Sequence, residues 1–174
     1  MKLLRPFAIA TVLFAMAGYA HAETKVELKG VHLCCGACVN GVAKVLKGIE
    51  GVSGKCDQKA KTVTITAKDD ETAQKALDAL AAAGYHGDTG NEKLAQKDDS
   101  GASAGKVKSV TVTGAHNCCG SCCKSIKAAV KGVNGVTGDT AKPKANTFEV
   151  TGDFDAQELV KALNAAGFHV KVSK

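Results

Sequence analysis

The chain has no tryptophan, and aromatic residues make up only 4% of its 174 positions. Nucleic-acid binding would need a clustered basic face with rings for bases to stack on, so that class is set aside. Proline is nearly missing as well, present only as Pro6 and Pro143. Past the first 22 residues no apolar run approaches the roughly 20 residues that cross a bilayer. Charge of one sign is weak too. Without Lys2 and Arg5 the 23 basic residues fall to 21 against 17 acidic ones, leaving +4, with the lysines scattered.

The N-terminus is different in kind. Lys2 and Arg5 precede an apolar run over residues 6–20, and Ala20-His21-Ala22 gives a small-x-small cleavage site. This pattern predicts a cleaved signal peptide at 1–22 and a mature chain that starts near Glu23, spans no membrane, and is exported to the periplasm or secreted.

An internal repeat organises the rest. His32-Leu33-Cys34-Cys35-Gly36-Ala37-Cys38 recurs as His116-Asn117-Cys118-Cys119-Gly120-Ser121-Cys122 at an offset of 84. After a one-residue gap, an offset of 83 carries Gly84-Tyr85-His86 onto Gly167-Phe168-His169. Each copy is therefore about 65 to 70 residues, the size of a small domain. The expected boundaries are 24–87 and 106–174. Between them, residues 88–105 are rich in Gly, Ser, Asp and Lys without apolar periodicity, which predicts a flexible linker and two units that move independently.

Within each copy, alternation over 25–29 and 107–112 reads as a first strand. Val42, Val45, Leu46 and Ile49, matched by Ile126, Ala129, Val130 and Val133, then recur at helical spacing, with Gly51 or Gly135 expected to end the helix. A hairpin ending in strand 62–66 or 147–150 follows. The second helix carries Ala73, Ala76, Leu77 and Leu80 on one face (Leu159, Val160 and Leu163 in the other copy), closed by Gly84 or Gly167. The last strand is convincing only in the second copy, near 168–172. The expected class is α+β, two tandem ferredoxin-like β-α-β-β-α-β sandwiches.

Of eight cysteines, seven lie in two clusters: Cys34, Cys35 and Cys38, then Cys118, Cys119, Cys122 and Cys123; Cys56 stands alone. A disulfide framework would spread its cysteines over distant segments, whereas adjacent ones can only clamp their own turn. Clustering argues for ligation or redox chemistry. Cys35 falls just before the first helix and Cys38 in its first turn, where unpaired N–H groups lower thiol pKa values and stabilise thiolate. Two thiolates there suit a soft ion. Ca²⁺ or Mg²⁺ would find no carboxylate cluster, and the pair alone falls short of the four donors of structural zinc.

A Cys-x-x-Cys before the first helix, Gly-Val opening the second strand and Gly-Tyr or Gly-Phe after the second helix together resemble the heavy-metal-associated domain family. The resemblance covers both copies. It implies a carrier or scavenger of Cu(I) or Hg(II) rather than an enzyme, with Cys35 and Cys38, and Cys119 and Cys122, as metal ligands. Tyr85 and Phe168 would shield the ion, and partners would be a metal-transporting membrane protein or another metal chaperone. Two departures stand out. The family's Met two positions before the first Cys is Leu33 or Asn117 here, the latter expected to pack less well. The Gly before that is His32 or His116.

His32, His116, Cys34 and Cys118 are thus candidates for additional ligands, and a third or fourth donor would admit Zn(II). Cys56 and Cys123 have no assigned role, and His86 and His169 should face away from Tyr85 and Phe168. The alternative from another class is a thiol–disulfide oxidoreductase using the same pairs. The element order is wrong for a thioredoxin-like fold, and neither proline can supply its cis-proline. A purely structural, oxidised cluster is the third reading.

Overall fold

The computed structural model describes residues 23–174, so the expected signal peptide lies outside the described residues. No helix among them is long and apolar enough to cross a membrane. The first unit comprises β1 (Thr24–Lys29), α1 (Gly36–Lys47), β2 (Val52–Asp57), β3 (Thr62–Ala67) and α2 (Asp70–Ala82). Its sheet is antiparallel with strand order β1-β3-β2. Register pairs Val26 with Ile65 and Leu28 with Val63, so the alternating apolar positions share the face under the helices. Leu77 and Leu80 of α2 are fully buried there; each such leucine contributes about 1.5–3 kcal/mol of hydrophobic stabilisation. Asp69 caps α2 by accepting from the Thr72 N–H at 2.7 Å.

The second unit repeats the order with β4 (Lys106–Thr113), α3 (Gly120–Lys131), β5 (Val136–Asp139), β6 (Thr147–Asp155), α4 (Ala156–Ala165) and β7 (Lys171–Ser173). Its sheet has four strands, β5-β6-β4-β7. The first unit has no matching last strand; a single bridge between Lys29 and Asp88 stands in its place. The α1 and α3 boundaries also correct the sequence reading. Both helices stop at Gly48 and Gly132, whose N–H groups close the last turn. Gly51 and Gly135 instead take positive φ at the entry to the next strand.

The two units face each other across a pseudo-two-fold axis. His86 N–H donates to Gly167 O and His169 N–H donates to Gly84 O, each at 3.1 Å, so Tyr85 and Phe168 form a short antiparallel bridge between units. Gly84 and Gly167, expected only as helix stops, have a second duty. A Cβ on Gly84 would overlap the backbone of Gly114 and His116, and one on Gly167 the backbone of His32 and Gly30. Each glycine lets its helix end press on the other unit's cysteine loop.

The segment expected to be a flexible linker is tied to both units. Gln96 accepts from Gly87 N–H at 3.0 Å and donates to Tyr85 O at 2.9 Å in the first. Ser100 O accepts from Val172 N–H at 2.8 Å in the second, and Leu94 and Ser100 are buried. Composition suggested freedom, but these backbone and side-chain hydrogen bonds satisfy a segment that a Gly- and Ser-rich reading leaves unpartnered.

Candidate metal centre

Cys35 and Cys119 are the N-cap residues of α1 and α3, held extended with φ of −157° and −153°, and neither helix has an acidic residue in its first turn. Cys38 and Cys122 sit one turn further and are fully buried. This matches the expected placement at a helix N-terminus, where aligned peptide dipoles favour negative charge.

The sequence reading expected two separate sites, one per unit. The pseudo-two-fold instead brings both cysteine loops to the same place, and six sulfurs make one network. Within the units, Cys35–Cys38 and Cys119–Cys122 lie 3.8 and 3.7 Å apart, while Cys34–Cys38 and Cys118–Cys122 are both 3.6 Å apart. Between the units, Cys34 reaches Cys119 at 3.5 Å and Cys122 at 3.4 Å, and Cys118 reaches Cys38 at 3.5 Å and Cys35 at 4.0 Å. Cys38–Cys122 at 3.7 Å and Cys35–Cys119 at 3.9 Å straddle the axis. All six are free thiols.

Their acidities divide. Burial raises the Cys38 thiol, but His116 together with the Cys118 and Cys34 thiols outweighs it and brings Cys38 down to about 5. The Cys122 backbone N–H, against a smaller effect of burial, leads in drawing Cys119 down to about 6, helped by the Cys34 thiol. Burial pushes Cys34 and Cys118 up, and the thiolates they donate to push them further. Cys38 and Cys119 are thus favoured as thiolates, each in sulfur contact with a raised thiol, Cys118 or Cys34.

The two candidate histidines part company. His116 Nδ1 lies 2.7 Å from Gly84 O and Nε2 lies 3.1 Å from His32 O. Both partners are carbonyl acceptors, so both ring nitrogens donate and the ring is an imidazolium. Burial works against that charge, but the Cys122 and Cys38 sulfurs and Gly84 O outweigh it and raise His116 to about 9. The cation lies between Tyr85, stacked at 4.1 Å, and Phe168 at 4.8 Å. In this arrangement His116 balances thiolate charge, and its ligand atom lies within 4.8 Å of the Cys38 and Cys122 sulfurs. His32 is pushed the other way, to about 4, first by burial and then by the positive charges of His116 and Lys61. Its Nε2 is buried without a hydrogen-bond partner, and its ligand atom lies within 4.8 Å of those of Cys34 and Cys122.

Asn117 is better placed than expected. It is 5% exposed, and its Nδ2 donates to Lys142 O at 2.7 Å and Ala145 O at 2.9 Å, pinning the cysteine loop to the β5–β6 turn. Leu33 does the equivalent by apolar burial. Tyr85 and Phe168 cover the site, Tyr85 OH donating to Cys38 O of its own unit at 3.1 Å and Phe168 lying across the interface against His32 at 4.5 Å. Cys123 is buried and its thiol donates to Ala141 O at 3.6 Å. Cys56, half-buried in β2, has its thiol pushed up by burial. His86 and His169 meet each other, Nδ1 to Nδ1 at 3.4 Å, with His169 Nε2 2.7 Å from Asp99 Oδ1. Convergence of the two loops is what sequence reasoning missed. Its only trace is that the Gly-aromatic-His and His-x-Cys-Cys patterns both repeat, as a self-complementary interface would require.

Residues 109–169 match the heavy-metal-associated domain family. No curated protein matches the chain. Among solved structures it is similar to a copper binding domain from HMA7, a P-type ATPase, at 26% identity over 40% of this chain and 95% of that one, with a TM-score of 0.34. It is similar to the N-terminal soluble domains of Bacillus subtilis CopA at 14% identity over 88% of this chain and 95% of that one, TM-score 0.32. The water-soluble region of the P-type ATPase CopA from Bacillus subtilis aligns at 18% identity over 88% and 93%, TM-score 0.31.

Proposed function

We propose that this chain is an exported carrier or scavenger of a soft metal ion, Cu(I) or Hg(II), and that residues 24–87 form a second heavy-metal-associated domain beside the matched one. The observation that carries the reading is the convergence of six free sulfurs on two helix N-termini, with Cys38 and Cys119 poised as thiolates. Thiolate-rich, carboxylate-free surroundings select soft ions. Metal binding would release the protons that Cys34 and Cys118 hold. Cys34, Cys35, Cys118 and Cys119 are partly exposed and offer the route for ligand exchange with a metal-transporting membrane protein or another metal chaperone.

The lowered pKa values of Cys38 and Cys119 equally suit a thiol–disulfide oxidoreductase. An attacking thiolate must reach its substrate disulfide; Cys38 is fully buried and Cys119 partly exposed, so a reductase assay separates the two readings. Metal analysis of anaerobically purified protein, with Cu(I), Hg(II) and Zn(II) in competition, tests the proposal. Cu(I) or Hg(II) should displace Zn(II) and disulfide reductase activity should be nil. Failure to bind any soft ion, or a preference for Zn(II), overturns it. Export is tested by N-terminal sequencing of protein recovered from cells, which should begin near Glu23.

A further inference from the structure

We infer that the extra cysteines are exchanged between the units: Cys118 completes a three-sulfur site with Cys35 and Cys38, and Cys34 completes one with Cys119 and Cys122. The inference rests on the soft-metal reading and specifies its coordination. Four sulfur triangles are closed by the contacts described above. They are Cys34-Cys38-Cys122, Cys38-Cys118-Cys122, Cys34-Cys119-Cys122 and Cys35-Cys38-Cys118. Only the last two share no sulfur, and together they use all six. They also exchange under the pseudo-two-fold, so one geometry serves both sites.

The extra cysteines also lie near their own pairs, with Cys118, Cys119 and Cys122 within 4.8 Å of one another, but the contacts across the interface are close on every edge. Cys118 approaches Cys35 and Cys38 at 4.0 and 3.5 Å. Cys34 approaches Cys119 and Cys122 at 3.5 and 3.4 Å. The edges fit the coordination number. With metal–sulfur bonds of about 2.3 Å, a trigonal ion spreads its sulfurs by roughly 4.0 Å, a tetrahedral one by roughly 3.8 Å and a linear one by roughly 4.6 Å. All six edges of the two triangles lie between 3.4 and 4.0 Å, short of the linear spread. The ligand is an ion that accepts three thiolates, with two such ions per chain, each held by sulfurs of both units.

Cu(I) loading of the full chain under reducing conditions tests this. In a Cys35→Ser, Cys38→Ser background one ion should remain, with three sulfur neighbours by X-ray absorption. Adding Cys34→Ser should lower that count to two and weaken Cu(I) binding at least about tenfold, while adding Cys118→Ser should change neither. The Cys119→Ser, Cys122→Ser background should give the mirror image, with Cys118 now the sensitive position. In the otherwise native chain, Cys34→Ser with Cys118→Ser should lower the mean count from three to two, a result that needs neither background to fold. Sensitivity to the cysteine of the same unit, indifference to both, or more than two ions with metal–metal scattering overturns the exchange and leaves the soft-metal reading standing. Failure of the native chain to bind Cu(I) or Hg(II) sinks that reading itself.

Discussion

The two units carry the same seven-residue pattern at one offset, yet its first histidine has opposite character in each. His116 is a half-buried cation with both nitrogens donating to carbonyls, and His32 is neutral with one nitrogen unpartnered. The thiolates are crossed as well: in the first unit the lowered pKa is that of Cys38, one turn into its helix, while in the second it is that of Cys119, at the N-cap. The supports under the loops differ in the same spirit, Leu33 by apolar contact and Asn117 by two hydrogen bonds. A repeated sequence therefore does not give a repeated electrostatic environment. One interface cannot hold two adjacent imidazolium rings, whose centroids here are 5.7 Å apart, so protonating one lowers the other.

The interface treats the units as equals, and the largest expected effect tests that equality. Gly84→Ala and Gly167→Ala each place a Cβ at positive φ against the other unit's backbone. Each should cost on the order of 3 kcal/mol, combining about 1–2 kcal/mol for the left-handed conformation with the overlap. Chemical denaturation measures both, and a pair of values differing by more than half would show that the two-fold is not an energetic one. Next in size is the histidine asymmetry. His116→Gln removes charge-assisted hydrogen bonds to Gly84 O and His32 O, for about 1.5–3 kcal/mol, and should raise the Cys38 pKa, read from the pH dependence of alkylation. His32→Gln should cost under about 1 kcal/mol and leave that profile in place; equal effects would end the distinction.

The smallest effect is spread over pH. Burial, reinforced by His169, lowers His86 to about 4 against the opposing pull of Asp88 and Asp98. A histidine whose folded pKa lies below its unfolded value of 6.5 leaves stability intact above about pH 6.5. Below that the unfolded chain binds the extra proton, and stability falls until about pH 4. Thermal unfolding followed across that window should show the decline, and His86→Asn should flatten it. An unchanged slope in the variant would assign the decline to other groups.

Much of each unit was legible along the chain because its determinants are local. Apolar residues at helical spacing put Val42, Leu46, Leu77 and Leu80 in the core, and alternation put Val26, Leu28, Val63 and Ile65 on one sheet face. The helix stops were misread by three residues. Gly48 and Gly51 are both plausible terminators by type, and only the backbone geometry separates a last-turn cap from a strand entry with positive φ. The partners of 88–105 were not legible for a related reason. Gln96, Asp99 and Ser100 find partners in both units, and composition carries no information about partners distant in sequence.

By itself, then, the sequence determined the element order, the cores and the residue types of the centre: thiols at helix N-termini, repeated, with extra donors beside them. Those follow from periodicity, capping and the preference of soft ions for sulfur, all short-range along the chain. Only the tertiary structure decided that the two cysteine loops meet. That outcome depends on Gly84 and Gly167 admitting the facing loops and on the paired backbone hydrogen bonds around Tyr85 and Phe168. Such contacts join residues about 80 positions apart. The same long-range geometry makes His116 a cation and His32 neutral, because a side chain's charge is set by the groups that surround it in space.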